Sequence, residues 1–169
     1  MNISYCPLCG STITRQPIDG IYRLACASSR CRYVHWNNPI PVVGALVLIG
    51  SEYVLARGAA WPDGLFSLLT GFLEEGESPE SAVVREVGEE LGLGVKRTDF
   101  IGHFPLRELN QLVIAYACHG EGILKPNHEI SETRILSRSE LVEYDFGPLE
   151  LTREIVAHWL RMGTRRSRL

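Results

Sequence analysis

Residues 71–93 read GFLEEGESPESAVVREVGEELGL and contain the helix around which the rest of the chain is organised. Ser78 is a typical N-cap, Pro79 suits the first helical position, and Gly92 after Leu91 provides a C-terminal stop. The apolar side chains predicted to share one buried face are Val83, Val84, Val87 and Leu91. The segment therefore predicts an amphipathic helix over residues 79–91.

A second face of this helix carries acidic side chains. Glu89 and Glu90 lie three and four residues after Glu86, so the three carboxylates project together. Like charges at this spacing destabilise an isolated helix, and carboxylate oxygens are ligands that suit Mg²⁺ or Mn²⁺. Arg85 precedes Glu89 by one turn and can orient it through a charge-assisted hydrogen bond. A glutamate-rich face is also typical of a solvated surface, so the helix alone leaves both interpretations open.

Apolar runs separated by turns surround the helix. They predict strands at residues 40–49, 53–57, 65–70 and 112–118, and a C-terminal helix from about 148 to 161. That helix is expected to pack through Leu151, Ile155, Trp159 and Leu160, which recur at helical spacing. Cys118 is predicted to be a buried strand thiol.

Four of the five cysteines lie within the first 31 residues. Cys6 and Cys9 form a C-x2-C-G knuckle, Cys26 and Cys31 form a C-x4-C pair, and the intervening residues predict a hairpin that turns at Asp19-Gly20. Four thiolates favour a closed, structural Zn²⁺ site, and a unit of this size has little core without a metal. Unmetallated thiols, or His35 in place of one of the second pair, are the alternatives.

Composition predicts the domain organisation and limits the classes of partner. The chain has 169 residues, 45% hydrophobic and 22% charged, which indicates one globular domain with an appendage. Asn37-Asn38-Pro39 marks a connector, so we expect a zinc ribbon over residues 1–36 and a second domain over 37–169. A net charge of −3 makes a nucleic-acid partner unexpected, although the C-terminus is locally basic at Arg161, Arg165, Arg166 and Arg168.

No membrane partner and no export are expected. The longest apolar run, residues 40–49, is about half the length of a membrane span. The N-terminal residues MNISYCPLCG lack the charged and apolar regions of a signal peptide, so a cytoplasmic location is expected.

Residues 71–93 fit the signature G-x5-E-x7-R-E-U-x-E-E-x-G-U, where U is aliphatic, at every specified position. These positions are Gly71, Glu77, Arg85, Glu86, Val87, Glu89, Glu90, Gly92 and Leu93. The chain thus resembles the Nudix hydrolases. With its cysteine unit and the sequence NPIPVVGALV at 38–47, it looks most like the zinc-ribbon branch that contains the NADH, FAD and ADP-ribose pyrophosphatases. The resemblance implies an α/β fold, a Nudix α/β/α sandwich with a mixed β-sheet, preceded by a small zinc ribbon.

The resemblance also implies an activity and the residues that perform it. The activity is Mg²⁺-dependent hydrolysis of the pyrophosphate bond of a nucleoside diphosphate derivative such as FAD, ADP-ribose or NADH, with release of AMP. The implied metal ligands are Glu86 and Glu90, with Glu89 and the Gly71 carbonyl as further ligands, while Glu77 and Arg85 fix the geometry. The general base stays open between Glu86 and Glu129; ordinary loop charges are the alternative interpretation of Glu129 and Glu132.

Sequence features that bear on the substrate are weaker. The NADH pyrophosphatases carry a SQPWPFPxS motif where this chain reads IGHFPLRELNQLV at 101–113, which favours FAD or ADP-ribose over NADH. Candidate substrate contacts are Arg57 and Arg107 for phosphates and Phe66, Phe72 and Tyr116 for a base. Alternative functions are a non-catalytic nucleotide sensor or RNA- or protein-binding regulator, and a pyrophosphohydrolase that removes damaged nucleoside triphosphates. The resemblance also implies a homodimer.

Overall fold

The computed structural model describes the backbone of residues 3–166 and the side chains of residues 3–163. The chain divides into two compact units, Met1–Asn38 and Pro39–Leu169. Three of the arginines in the predicted basic C-terminus, Arg165, Arg166 and Arg168, have side chains outside the described residues. Between residues 3 and 166, no helix has the length and apolar character needed to cross a bilayer.

The first unit is a three-stranded antiparallel sheet. Strands β1 (Ile13–Ile18) and β2 (Ile21–Cys26) form a hairpin, and the short strand β3 (Val34–His35) pairs with β2. Asp19 and Gly20 have φ angles of 51° and 78°. Two positive φ values in a two-residue loop match the turn that suits the twist of a hairpin, so the predicted turn is confirmed.

The second unit is built on a six-stranded mixed sheet. Its elements are β4 (Ile40–Ile49), β5 (Glu52–Gly58), β6 (Leu69–Phe72), α1 (Pro79–Leu91), β7 (Gly94–Leu106), a 3₁₀ turn (Arg107–Leu109), β8 (Gln111–Glu121), β9 (Ile130–Leu136), α2 (Arg138–Glu143) and α3 (Glu150–Arg166). The strand order is β7-β8-β4-β5-β9, and β6 pairs with β4. Strands β4 and β8 run parallel, and the other pairs are antiparallel.

Helices cover both faces of this sheet. Along β4, Val43, Ala45 and Val47 belong to one apolar cluster together with Val83, Val87 and Leu91 of α1. The alternate residues Val42, Leu46 and Leu48 belong to a second cluster with Leu141 of α2 and Ile155 and Val156 of α3. This alternation explains why β4 is a nearly continuous apolar run. The predicted α/β/α sandwich with a mixed sheet is confirmed.

The ends of α1 also follow the prediction. The Ser78 hydroxyl accepts a hydrogen bond from the Ser81 amide at 3.1 Å. Gly92 has a φ of 67°, and its amide donates to the Gly88 carbonyl at 3.0 Å. Ser78 and Gly92 therefore fix where the helix starts and where it ends.

Three local predictions differ from the structure. The strand expected at residues 65–70 is observed at Leu69–Phe72, because the preceding Ser67 instead exchanges backbone hydrogen bonds with Ala56 of β5. Val84, expected on the buried face of α1, is 38% exposed since one residue turns it about 100° away from Val83. Helix α3 begins at Glu150 and extends to Arg166, beyond the expected end near 161.

Candidate active site

The acidic face of α1 lies at the boundary between the core and solvent. Val87 and Leu91 are fully buried beneath the helix. Glu90, between them on the helix surface, is itself only 8% exposed. The side chain of Glu86 is 13% exposed and that of Glu89 is 58% exposed. The three carboxylates therefore range from buried to solvated, and two of them have little access to water.

Arg85 connects the acidic face to the preceding loop through all five of its N–H groups. Its Nε and Nη2 donate to the two carboxylate oxygens of Glu77, each at 3.0 Å. Nη1 donates to Glu86 at 2.8 Å and to Glu89 at 3.1 Å, and Nη2 also donates to the Phe72 carbonyl at 3.0 Å. Since a guanidinium has five donors in a rigid plane, this arrangement fixes the directions of three carboxylates at once.

Glu77 in turn holds the loop that leads into α1. Its carboxylate accepts from the Glu74 amide at 3.1 Å and from Arg85. The Arg85 guanidinium holds the pKa of Glu77 below its usual range. This ion pair ties the loop between β6 and α1 to the helix, as the resemblance implies for these two residues.

Gly71 of β6 lies directly against Glu86. A Cβ atom at position 71 would overlap the Cγ, Cδ and Oε1 atoms of Glu86. The absence of a side chain on Gly71 is therefore what allows the Glu86 carboxylate to occupy its position beside the strand.

Replacing Gly71 by alanine is expected to displace the Glu86 carboxylate while the fold is retained. Only the flexible end of a side chain must move, so we expect the free energy of unfolding to fall by about 1 kcal/mol or less. If Glu86 is a metal ligand, as the resemblance implies, turnover is expected to fall by about 100-fold, because a small displacement of such a group is costly. Paired measurements of kcat and urea unfolding check this; a variant with wild-type kcat contradicts it. Gly88→Ala is the matched control, because its Cβ would meet only the Leu93 carbonyl at 3.8 Å. Gly76→Ala is unsuitable because Gly76 has a φ of 78°, where any side chain causes strain.

Glu129 lies on a loop that docks on the C-terminal end of α1. The amides of Lys125 and Asn127 donate to the carbonyls of Leu91 and Glu90 at 2.8 and 2.9 Å. The Asn127 side chain then accepts from the Glu129 amide at 2.8 Å, and the Glu129 carbonyl accepts from the Ala59 amide at 2.7 Å. The loop thus satisfies helix-end carbonyls and fixes the backbone of Glu129.

The charge of Glu129 contributes to the raised pKa of two glutamates of α1. Burial, followed by the charges of Glu86, Glu129 and Glu89, raises the pKa of Glu90 to about 7. Burial also raises the pKa of Glu86, against the lowering effect of Arg85. Glu132, on the same segment, instead forms an ion pair with Arg57 at 3.5 Å. Carboxylates that repel one another in a poorly hydrated place are a donor set that fits a hard divalent cation.

The raised pKa of Glu90 predicts how stability depends on pH when no divalent cation is bound. The folded state binds a proton at Glu90 between pH 4.5 and about 7, where the unfolded state does not. Stability therefore falls as the pH rises through this window, by up to about 3 kcal/mol. At pH 8, the Glu90→Gln variant is expected to melt higher than the wild type by up to about 10 °C.

Thermal unfolding in magnesium-free buffer at pH 5 and pH 8 checks this prediction. The difference in melting temperature between the variant and the wild type is expected to be larger at pH 8. Added Mg²⁺ is expected to raise the melting temperature of the wild type more than that of Glu90→Gln. A variant that melts lower than the wild type at pH 8 contradicts the assignment of Glu90 as a buried, charge-repelled group.

The first unit contains a second candidate metal site. The sulfur atoms of Cys6, Cys9, Cys26 and Cys31 all lie within 4.8 Å of one another. Among the described residues, these four cysteines form a group of side chains close enough to hold a metal ion. The Cys6–Cys31 and Cys9–Cys26 sulfur distances are 3.6 and 3.5 Å. A tetrahedral Zn²⁺ with bonds of about 2.3 Å requires sulfur atoms about 3.8 Å apart, so the four thiols fit this ion.

The four thiols differ in acidity when no metal is bound. Hydrogen bonds from the side chain and backbone of Ser11 lower the pKa of Cys9 to about 6, whereas burial and the neighbouring cysteines raise the pKa of Cys26 to about 12 and also raise that of Cys31. A first thiolate thus disfavours the next, and a bound cation would remove this repulsion. His35 of β3 pairs with Leu24 of β2 and is not part of the sulfur group. Cys118 is fully buried in β8 and burial raises its pKa to about 12, as expected of an inert core thiol.

A cavity of about 780 Å³ adjoins Gly71 and Phe72. One wall comes from residues 105–113, at the turn between β7 and β8, and another from residues 148–154, at the start of α3. Residues 105–113 belong to the segment at 101–113 that departs from the NADH pyrophosphatase motif, so part of this segment shapes the cavity. Its size is in the range of pockets that hold a nucleotide-sized ligand.

The predicted substrate contacts divide into two groups. Phe72 is 58% exposed and lines the cavity, as does Arg107. Phe66 and Tyr116 are buried, and the Tyr116 hydroxyl donates to Glu80 at 2.7 Å, so neither ring is free to stack on a base. Arg57 is occupied by Asp63 at 3.0 Å and by Glu132.

Sequence reasoning missed two parts of this site. Asn127 and Lys125 carry no motif that indicates a docked loop, because their contacts to α1 are made by backbone amides. The contribution of residues 148–154 to the cavity depends on how α3 packs on the sheet. The apolar spacing of α3 predicted that this helix packs on another surface, but it did not identify the surface.

Comparisons with known proteins agree with this geometry. A family model described as the NUDIX domain matches residues 38–160. The chain is 40% identical over 105 residues to the NAD-capped RNA hydrolase NudC of Mycobacterium bovis, covering 60% of this chain and 34% of that protein. It is 37% identical over 117 residues to the mitochondrial NAD(P)H pyrophosphatase NUDT13 of Mus musculus, covering 68% and 31%. It is 29% identical over 181 residues to the NAD-capped RNA hydrolase NUDT12 of Homo sapiens, covering 94% and 38%. The chain thus spans about a third of the length of these relatives.

Solved structures share the fold of the second unit. A NUDIX hydrolase from Nitrosomonas europaea has a TM-score of 0.65 at 23% identity, covering 82% of this chain and 80% of that one. The NUDIX domain of Shewanella oneidensis NrtR, solved with ADP ribose, has a TM-score of 0.60 at 14% identity, covering 73% and 88%. At these identities, the likeness concerns the fold alone.

Proposed function

Because the chain belongs to the Nudix hydrolase family, we propose that it hydrolyses the pyrophosphate bond of a nucleoside diphosphate derivative and releases AMP. The observation that carries this proposal is the set of electrostatically interacting glutamates, Glu86, Glu89, Glu90 and Glu129. Glu86 lies against Gly71, which lines the nucleotide-sized cavity. A surface patch of acidic residues would not need a buried Glu90 or an arginine with five bonded donors.

The proposed roles follow from the contacts. Glu86 and Glu90 hold the divalent cation, Mg²⁺ or Mn²⁺, with Glu89 and the Gly71 carbonyl as further ligands. When bound, such an ion neutralises phosphate charge and lowers the pKa of water. Arg85 and Glu77 orient these groups, because one guanidinium fixes both Glu86 and Glu89.

Glu129 is the candidate for a general base or a further ligand. Its backbone is held by Asn127 and Ala59, and its charge contributes to the raised pKa of both Glu86 and Glu90. A carboxylate near the ions, on a separate loop, can accept a proton from the attacking water. Glu86 is the alternative base, but its oxygen is already bonded to Arg85, which makes Glu129 the better choice.

The proposed substrates are dinucleotides and related adenylates. The names of the relatives refer to NAD-capped RNA and NAD(P)H, whereas the segment at 101–113 departs from the NADH motif and favours FAD or ADP-ribose. Both Phe72 and Arg107 line the cavity, so in this proposal Phe72 stacks on a base and Arg107 contacts a phosphate. We also propose a cytoplasmic location, where zinc thiolates stay reduced, and a homodimer.

A product assay tests this function. The chain is incubated with Mg²⁺ and, separately, FAD, ADP-ribose, NADH, NAD⁺ or a panel of nucleoside triphosphates, and products are separated by chromatography. AMP release from a dinucleotide or from ADP-ribose is expected. Pyrophosphate release from a triphosphate would instead support removal of damaged nucleotides. Tight nucleotide binding without any hydrolysis would favour a nucleotide sensor.

A further inference from the structure

The charged side chains that line the cavity at the turn between β7 and β8 are mostly acidic. The lining includes one guanidinium, that of Arg107, and three carboxylates, those of Glu108, Glu150 and Glu154. One positive and three negative groups give the lining a net charge of −2. Among residues 3–163, none of the three carboxylates forms a salt bridge. Beyond a single contact to Arg107, the lining therefore repels phosphate groups.

Two exposed aromatic rings belong to other parts of the same lining. Trp61 lies in the turn after β5, and Phe72 lies at the end of β6. The Trp61 amide donates to the Gly58 carbonyl at 3.0 Å. The Trp61 ring also lies close to Gly58, since a Cβ atom at position 58 would be 3.2 Å from the nearest ring carbon. A ring held in this way offers a base a fixed surface for stacking.

A buried pair of hydroxyl groups also lines the cavity. Ser67 and Thr152 are 4% and 6% exposed, and their hydroxyl oxygens lie 2.7 Å apart. The bond between them uses one of the two hydroxyl hydrogens, and within residues 3–163 neither hydroxyl has a further partner. The second hydrogen is therefore available to an acceptor in the cavity. In a lining with a net negative charge, the acceptor that suits this hydrogen is an uncharged one, such as a ring nitrogen or a carbonyl oxygen of a base.

We propose that this cavity holds the nucleoside end of the substrate, and that Glu108, Glu150 and Glu154 exclude nucleotides that carry a further phosphate on the ribose. This role of the cavity rests on the proposed function, in which the substrate is an adenylate with a pyrophosphate bond. A phosphate on the ribose adds about two negative charges at neutral pH. Like charges brought together without a compensating cation weaken binding. The chain is therefore expected to prefer NADH to NADPH, which differ only in the 2′-phosphate of the adenosine ribose.

Calorimetric titration of the full zinc-loaded chain with 5′-AMP and with adenosine 2′,5′-bisphosphate, at neutral pH and low salt, tests this proposal. The two ligands differ only in the ribose phosphate, and neither contains a pyrophosphate bond that could be hydrolysed. The test variant combines Glu108→Gln, Glu150→Gln and Glu154→Gln. Its matched control removes three charges from exposed positions outside the cavity and combines Glu52→Gln, Glu121→Gln and Glu143→Gln.

The wild type is expected to bind 5′-AMP at least about tenfold more tightly than the bisphosphate. In the test variant this ratio of affinities is expected to fall to about threefold or less, while the control variant keeps the ratio of the wild type. Each of the three single substitutions is expected to lower the ratio in part, so the result does not depend on the folding of one variant. Trp61→Ala is expected to weaken the binding of both ligands about tenfold and to leave their ratio unchanged, because stacking acts on the base.

Equal affinities of the wild type for the two ligands overturn the proposal, as does undetectable binding of both. A test variant that keeps the full ratio, or a control variant that loses it equally, also overturns the proposal, because the cavity carboxylates are then not its source. Unchanged affinity for 5′-AMP in Trp61→Ala shows that the nucleoside lies outside this cavity and has the same consequence. Absence of hydrolysis of every substrate, with the ligand preference intact, would defeat the proposed function and leave this preference standing. Hydrolysis of NADH and NADPH alike, with equal affinities for the two ligands, leaves the proposed function intact.

Discussion

Glu90→Gln is expected to lower kcat about 1000-fold or more without unfolding the chain. Glutamine preserves the shape of the side chain but removes the charge that a divalent cation requires. A bound ion contributes several kcal/mol to stabilising the charge that develops on the phosphate oxygens, and about 4 kcal/mol corresponds to this loss in rate. Because Glu90 is buried among like charges, its removal relieves repulsion, so inactivation is expected together with a more stable metal-free protein.

Glu86→Gln is expected to reduce kcat to a similar extent. The amide oxygen of glutamine can still accept the hydrogen bond from Arg85 Nη1, so the orientation of Arg85 is retained. Glu143→Gln on α2, an exposed carboxylate, is the control and should keep wild-type turnover. Steady-state kinetics over a range of Mg²⁺ concentrations measure both variants. Wild-type turnover in Glu86→Gln and Glu90→Gln would overturn the assignment of the metal ligands.

Local sequence patterns predicted the elements that are determined by a few adjacent residues. The ends of α1 follow from Ser78, Pro79 and Gly92, because capping depends on a few adjacent residues. The hairpin at Asp19-Gly20 and the buried strand β4 are equally local. The fixed spacing of residues 71–93 likewise predicted that Arg85 would contact Glu89, and the structure adds its contacts to Glu77 and Glu86.

Features that depend on distant contacts could not be derived in this way. The strand expected at 65–70 starts later because Ser67 pairs with β5 before the chain reaches β4. The position of Glu129 depends on backbone amides that bond to the end of α1, about 35 residues earlier in the chain. The cavity requires both the β7–β8 turn and the start of α3. In each case the sequence indicates residue types, whereas the packing determines which of them meet.

Removal of the proposed zinc ion is expected to unfold the first unit. Its apolar cluster contains three buried residues, Cys6, Ile13 and Cys26, and two of these are proposed zinc ligands. Without the ion, the remaining burial cannot offset the conformational entropy of about 35 residues. Structural Zn²⁺ sites contribute about 10–16 kcal/mol to folding, far more than the cluster can supply. The metal-free unit is therefore expected to be unfolded at any temperature where the second unit is still folded.

Hydrogen exchange with and without a zinc chelator measures this effect. The amides of β1 and β2 are expected to lose all protection when zinc is removed, while those of β4 and α1 keep theirs, because the second unit has its own two apolar clusters. Cys26→Ser is expected to reproduce the loss of protection. Cys118→Ser is the control, since Cys118 is a core thiol of β8 and should leave one zinc bound per chain. Unchanged protection of β1 and β2 after complete zinc removal would show that the four thiols are not a structural metal site, and that the first unit is held together by its hairpin alone.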